Sequence, residues 1–201
     1  MGVSLYVSGA VEGSTDRAAL ARILRHVGLT PGDLYVTDGK QKLLRSLAGY
    51  NNAARFSPWV VLVDLDGDAP CAPRFVAEVL PHPAEKMAFR VAVRAVESWL
   101  LADINGVSSF LHLPAARVPA EPDQLPDPKR ALVDLAARSR KAAIREDIVP
   151  RPGSGRAVGP AYASRLTEYI QDHWEIDAAA ARSPSLARCV NRLRVIQKGG
   201  A

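Results

Sequence analysis

Through its first hundred residues the chain alternates short apolar runs with amphipathic stretches. Residues 3–10 (VSLYVSGA) are β-prone and end in small residues, and the GSTDRAALARILRHVG that follows places Leu20, Ile23, Leu24 and Val27 at helical spacing. Ser14 or Thr15 can accept a bond from an unpaired amide of the first turn, Asp16 suits the positive end of the helix dipole, and Gly28 is placed to end the helix. Residues 34–37 read as a second short strand, and 41–54 as a helix with Leu43, Leu44 and Leu47 on its apolar side. The run WVVLVDLD at 59–66 is almost continuously apolar and then abruptly acidic. That is the pattern of a central parallel strand buried on both faces, with its carboxyl end at a site. A helix at 73–80 and a strand at 87–93 follow. Strands alternating with helices predict right-handed βαβ units, hence an α/β fold with a mainly parallel sheet of about four strands flanked by helices.

The second half changes character. AVESWLLAD at 95–103 is helical in pattern, with Trp99, Leu100 and Leu101 as core residues, and the stretch 114–128 then holds five prolines in fifteen residues. Beyond it the pattern predicts a helix starting near Lys129, a loop through RPGSGR at 151–156, a helix near 161–174 and a last one over 185–197. The expected organisation is a core at 1–113, a Pro-rich connector at 114–128 and a helical basic extension at 129–201 packed on that core. No internal repeat is present.

Composition narrows the class. With 48% apolar residues, 201 residues can bury a substantial core. No basic-then-apolar leader opens the chain, and no stretch approaches the roughly 18 apolar residues that span a bilayer, so a soluble, cytoplasmic protein without membrane contact is expected. Cys71 and Cys189, far apart, supply neither a disulfide framework nor CxxC zinc ligands. The four histidines (26, 82, 112 and 173) lack HxH or HxxxH spacing and read as surface or capping residues.

The net charge of +5 is unevenly distributed. Residues 1–128 hold 12 Lys/Arg against 14 Asp/Glu, 129–156 hold 8 against 3, and 157–201 hold 6 against 4. Arg138, Arg140, Lys141, Arg145, Arg151 and Arg156 crowd one short segment, which reads either as a footprint for nucleic-acid phosphates or as a solvated helix face.

Two acidic constellations carry the candidate chemistry. Glu12 lies at the carboxyl end of the first strand, and Asp64, Asp66 and Asp68 at the end of the third, the edge at which open parallel sheets collect ligands. Alternate strand residues share a face, so Asp64 and Asp66 are expected to offer oxygens to one hard cation. Oxygen donors without His or Cys favour Mg²⁺ or Mn²⁺ over zinc. The segment DLDGD fails as an EF-hand: its Gly comes early, Phe75 stands at position twelve, and a strand precedes it. GAVEGSTD has no Lys before its Ser and Thr, so it is not a Walker loop.

The pattern V-E-G-x-T-D after strand one, with D-x-D after a hydrophobic strand, resembles the Toprim domains of topoisomerases, bacterial primases and overcoming-lysogenization-defect nucleases. AVESWLLAD at 95–103, DPK at 127–129 and SPSLAR at 183–188, in that order, are similar to the Toprim-like domain-of-unknown-function family 4276, bacterial proteins associated with phage defence. The resemblance spans nearly the whole chain and implies a Toprim/Rossmann-like fold. It implies Glu12 as general acid/base or metal ligand, Asp64 and Asp66 as Mg²⁺ ligands, and Asp68 as an accessory ligand. The implied reaction is metal-assisted hydrolysis of a phosphodiester in nucleic acid. None of Tyr6, Tyr35, Tyr50, Tyr162 and Tyr169 occupies the context of a topoisomerase nucleophile.

Two residues have a structural and a chemical reading. Glu97 either joins the metal site or caps or pairs with Arg94 or Arg90. Asp103, six residues on, lies about 120° away around a helix and cannot face the same ion unless the helix ends between them. Lys129 either follows an Asp127 cap and a first-turn proline as an ordinary helix residue or touches a phosphate. Beside the nuclease, two other functions fit the residues: a non-catalytic subunit of a defence or toxin-antitoxin-like complex whose partner is an AAA-type ATPase, and a phosphotransfer enzyme acting on a small substrate.

Overall fold

A computed structural model describes residues 5–199, so Val3 and Ser4 of the first predicted strand, and the outermost residues of the expected core and extension, lie outside the described residues. The element order is β1 (Tyr6–Val11), α1 (Ser14–His26), β2 (Thr30–Val36), α2 (Lys40–Ala53), β3 (Trp59–Asp64), α3 (Ala72–Val79) and β4 (Met87–Ala92). Seven α-helices follow among the described residues: α4 (Val96–Ala102), α5 (Ile104–Phe110), α6 (Pro128–Ala136), α7 (Ala142–Ile148), α8 (Tyr162–Asp172), α9 (Ile176–Ala180) and α10 (Pro184–Gly199). The four strands form one all-parallel sheet in the order β2-β1-β3-β4, the α/β architecture expected.

Strand β3 shows why its sequence is apolar on both faces. Val60 and Leu62 enter a core with α1, α4, α8 and α10, while Val61 and Val63 enter a second core with α2 and α3. The first core is the larger and holds residues from before and after the Pro-rich stretch, among them Val7, Leu20, Trp99, Leu132, Leu166, Trp174 and Leu193. Trp99, Leu100 and Leu101 are fully buried, as expected of them. Close packing constrains the backbone too: a Cβ on Gly9 would stand 2.7 Å from the Val60 carbonyl oxygen of the neighbouring strand. No described helix is long and apolar enough to cross a membrane.

Element boundaries differ from expectation where local chemistry is weak. β2 starts at Thr30 and includes Pro31 and Gly32, which pattern reading left outside it; it is an edge strand bonded only to β1, where a missing N–H is tolerated. Ser14 and Thr15 do not cap α1. Gly13 holds that position, and the Asp16 carboxylate reaches back to accept the Gly13 N–H at 2.8 Å. Gly28, at φ +80°, ends the helix as predicted. The short helices α5, α7 and α9 were not anticipated, since none exceeds two turns and so none shows a period.

Candidate active site

β1 and β3 lie side by side, but the chain leaves them toward opposite edges, β1 to β2 and β3 to β4. The loops beyond their carboxyl ends therefore diverge and open a crevice, the usual ligand position in a doubly wound sheet. Glu12 follows β1 and Asp64 closes β3. The structure joins them: the Asp64 backbone N–H donates to Glu12 Oε1 at 2.9 Å, and Asp64 Oδ1 accepts the Val96 N–H at 2.9 Å where α4 begins.

Two further carboxylates belong to this unit. Asp16 comes from the first turn of α1 and Glu97 from the first turn of α4. Glu97 is 4% exposed; its Oε1 accepts the Tyr162 hydroxyl at 3.0 Å and lies 3.7 Å from Lys129 Nζ. Its partners are thus Tyr162 and Lys129, not Arg90 or Arg94. Burial pushes Asp64 well above the ordinary carboxylate range, and Asp16, Glu97 and Glu12 push it further. Burial also raises Glu12, against the Asp64 N–H and Lys40, which favour its anion. Lys129 is held above the ordinary lysine range by Glu97 first, against its own burial, with Asp64 and Asp16 adding to the effect.

Asp16 is pushed up to about 7 by burial, with Glu97 and Glu12 adding and the Gly13 N–H opposing. Its folded form holds a proton that the unfolded chain releases near pH 4, so its contribution to stability declines as pH rises from about 4 to about 7. Asp16→Asn is therefore expected to leave stability unchanged below pH 4 and to raise it by on the order of 1 kcal/mol at pH 8, after allowance for partial solvent screening. Thermal midpoints from pH 4 to 8 check this; a difference that does not grow with pH would refute it.

The D-x-D stretch departs from the expected geometry. Strand alternation stops at Asp64, where β3 ends, and Asp66 takes a left-handed φ of 49°, so Asp64 and Asp66 do not share a face. The backbone of Asp66 is clamped by Arg94, whose carbonyl accepts the Asp66 N–H at 2.9 Å and whose Nη1 donates to the Asp66 carbonyl at 2.8 Å. Its carboxylate turns to Lys40 Nζ, which also donates to Asp68 Oδ2 at 2.7 Å. Among the described residues, no three His, Cys, Asp or Glu side chains are arranged to hold a metal ion. The donor set still suits Mg²⁺, which is commonly held by one or two carboxylates and completed by substrate phosphate and water. Glu12 and Asp64 supply that number, and burial, with neighbouring carboxylates second, raises the cost of their negative charge, which a divalent cation would relieve.

A cavity of about 490 Å³ opens on this edge, with Asp64, Asp66, Arg94 and Lys129 in its lining. Gln124, Pro126, Asp127 and Pro128 form one wall of it, so the Pro-rich stretch read as a connector is part of the cleft. Asp127 caps α6 by accepting the Arg130 N–H at 2.9 Å, which sets Lys129 in the first turn. Asp103 is placed elsewhere: α4 ends before it, its Oδ1 caps α5, and its Oδ2 accepts the Tyr169 hydroxyl and the Glu175 N–H, each at 2.9 Å.

Of the seven cations expected to hold a nucleic-acid strand, Lys129 lines the cleft and the other six do not. Arg145 and Arg151 line a second depression, Arg151 and Arg156 a third, and Lys141 a fourth beside His112 and His173. Arg138 and Arg140 are exposed, and the Arg145 guanidinium donates to the Ser139 carbonyl at 2.6 Å. Arg94, Tyr162, Asp16 and Lys40 are the site residues that sequence reasoning missed. Arg94 follows the carboxyl end of β4, a position that could have marked it, whereas nothing local marks Tyr162, 65 residues from the Glu97 it bonds. Compared with known proteins, the chain matches no family model, no curated protein and no solved structure.

Proposed function

We propose that the chain is a Toprim-like hydrolase that cleaves phosphodiesters in nucleic acid, with Mg²⁺ or Mn²⁺ held by Glu12 and Asp64. One observation carries this reading: a cleft at the sheet's switch point sets the half-buried Asp64 beside two cations, Arg94 and Lys129. When bound, the ion would neutralise non-bridging oxygens and acidify a water. The chain's own residues supply the rest. Arg94 and Lys129 neutralise and orient the phosphate. Glu12, its proton affinity raised by burial, moves the proton. Tyr162 and Lys129 hold Glu97 in place, and the wall at 124–128 limits access. The basic segment of α7 and the loop after it would meet the strand outside the cleft, and a role in phage defence follows from the resemblance alone.

Purified protein is expected to cleave at least one of single- or double-stranded DNA or RNA when Mg²⁺ or Mn²⁺ is present. Glu12→Gln should lower kcat about a hundredfold, the usual worth of a positioned acid/base. No cleavage of any substrate with either metal, or a Gln variant as active as the parent, would overturn the proposal.

A further inference from the structure

Lys40 has no part in the proposed chemistry, yet it is among the most firmly placed residues of the edge. Thr37 Oγ1 donates to the Val11 carbonyl at 3.1 Å and to that of Gly39 at 3.3 Å, and the Gly39 N–H donates to the Glu12 carbonyl at 3.2 Å. Gly39 has φ 120°, a conformation that side-chain-bearing residues rarely adopt. The loop is thereby fixed to the end of β1, and α2 begins with Lys40, whose side chain is only 13% exposed. A lysine in the first turn opposes the helix dipole and loses hydration, so something must compensate. The compensation is the pair of carboxylates, Asp66 and Asp68, that its ammonium bridges.

We infer that Lys40 is a built-in counter-ion of the D-x-D loop: its ammonium competes with a divalent cation for Asp66 and Asp68 and so sets the metal affinity of the site. The inference rests on the metal reading above. Two carboxylates held on one cation are what a hard metal would otherwise recruit, and the Arg94 clamp on the Asp66 backbone keeps that loop beside Asp64 whichever cation it holds. With Lys40 in place, Glu12 and Asp64 remain as the available ligands; without it, Asp66 and Asp68 lose the cation that holds them and their charge is free to draw a metal.

The test is titration calorimetry of Mn²⁺ and Mg²⁺ into the protein alone, beside cleavage assays. Lys40→Met, which keeps the stem and removes the charge, should bind metal roughly tenfold more tightly than the parent, the scale expected on removing one nearby like charge. Lys40→Gln, which retains hydrogen bonding, should do the same and serves if the Met variant does not fold, while Lys40→Arg should bind as the parent does. The metal-induced rise in thermal midpoint should be larger in Met and Gln than in the parent. If the parent cleaves with metal but Met and Gln bind it no more tightly, the inference falls and the hydrolase reading stands. Should Met and Gln bind more tightly while no form cleaves, the hydrolase reading falls and the inference stands. If no form binds metal, both fall.

Discussion

Asp64→Asn is expected to lower the rate of phosphodiester cleavage about a thousandfold while leaving the fold intact or slightly more stable. The asparagine keeps a side-chain oxygen to accept the Val96 N–H, so the start of α4 remains capped. What is lost is an anion that the fold accommodates poorly, because burial and then Asp16, Glu97 and Glu12 all oppose its charge. An acid whose folded proton affinity exceeds its unfolded value destabilises the protein as pH rises above the unfolded pKa, so removing its charge relieves that penalty at pH 8. Cleavage kinetics and thermal midpoints at pH 8 together make the check. Lost activity with an unchanged or raised midpoint supports a catalytic role; a midpoint lowered by several degrees would mean that Asp64 acts as a structural cap.

Trp99→Ala should be the most damaging single change to the fold, lowering stability by about 3 to 5 kcal/mol, a large share of the roughly 5 to 15 kcal/mol that holds a domain folded. Trp99 is fully buried in the larger core, and its Nε1 donates to Ser185 Oγ at 2.7 Å. Ser185 Oγ also accepts the Val93 N–H at 3.3 Å and lies 3.4 Å from Asp123 Oδ2, so it keeps partners and the loss is chiefly the cavity. For a chain of this length the thermal midpoint should fall by about 10 °C or more. Trp99→Phe should lose a smaller part. A loss under about 1 kcal/mol in the Ala variant, from denaturant unfolding, would show that the surrounding helices collapse into the space.

Sequence reasoning reached the sheet and part of the site for the same reason. A strand buried on both faces must be apolar throughout, so the carboxylates that interrupt the pattern, Asp64 at the end of β3 and Glu12 just after β1, stand out and fall at the edge where ligands bind. The mutual placement of the carboxylates was not legible, because strand alternation was extended through Asp66, beyond the strand's end. Asp16 suits the positive end of the helix dipole, and the same first turn also lays it beside Glu97 and Glu12. Tyr162 reaches Glu97 because α8 packs on α1, a long-range contact that no local pattern records. Lys40 did leave a trace: a cation opening a helix is unfavourable alone, and such a residue implies an anion from elsewhere in the fold.

The stretch 114–128 has a consequence for how this protein can be cut. Ser183 Oγ donates to Asp123 Oδ1 at 2.9 Å and to Oδ2 at 3.1 Å, and the Arg182 guanidinium donates to the Ala120 carbonyl at 2.6 Å. One wall of the cleft is therefore fastened to the start of α10, and that helix is fastened through Ser185 to Trp99, two residues past Glu97. A proline-rich segment ordinarily invites a modular reading, with halves that can be separated or exchanged. Here the seam passes through the site, and a fragment ending before residue 128 would lose Lys129, Tyr162 and the bonds that hold its own last wall. The cleft belongs to the whole chain and cannot be transplanted with the sheet alone.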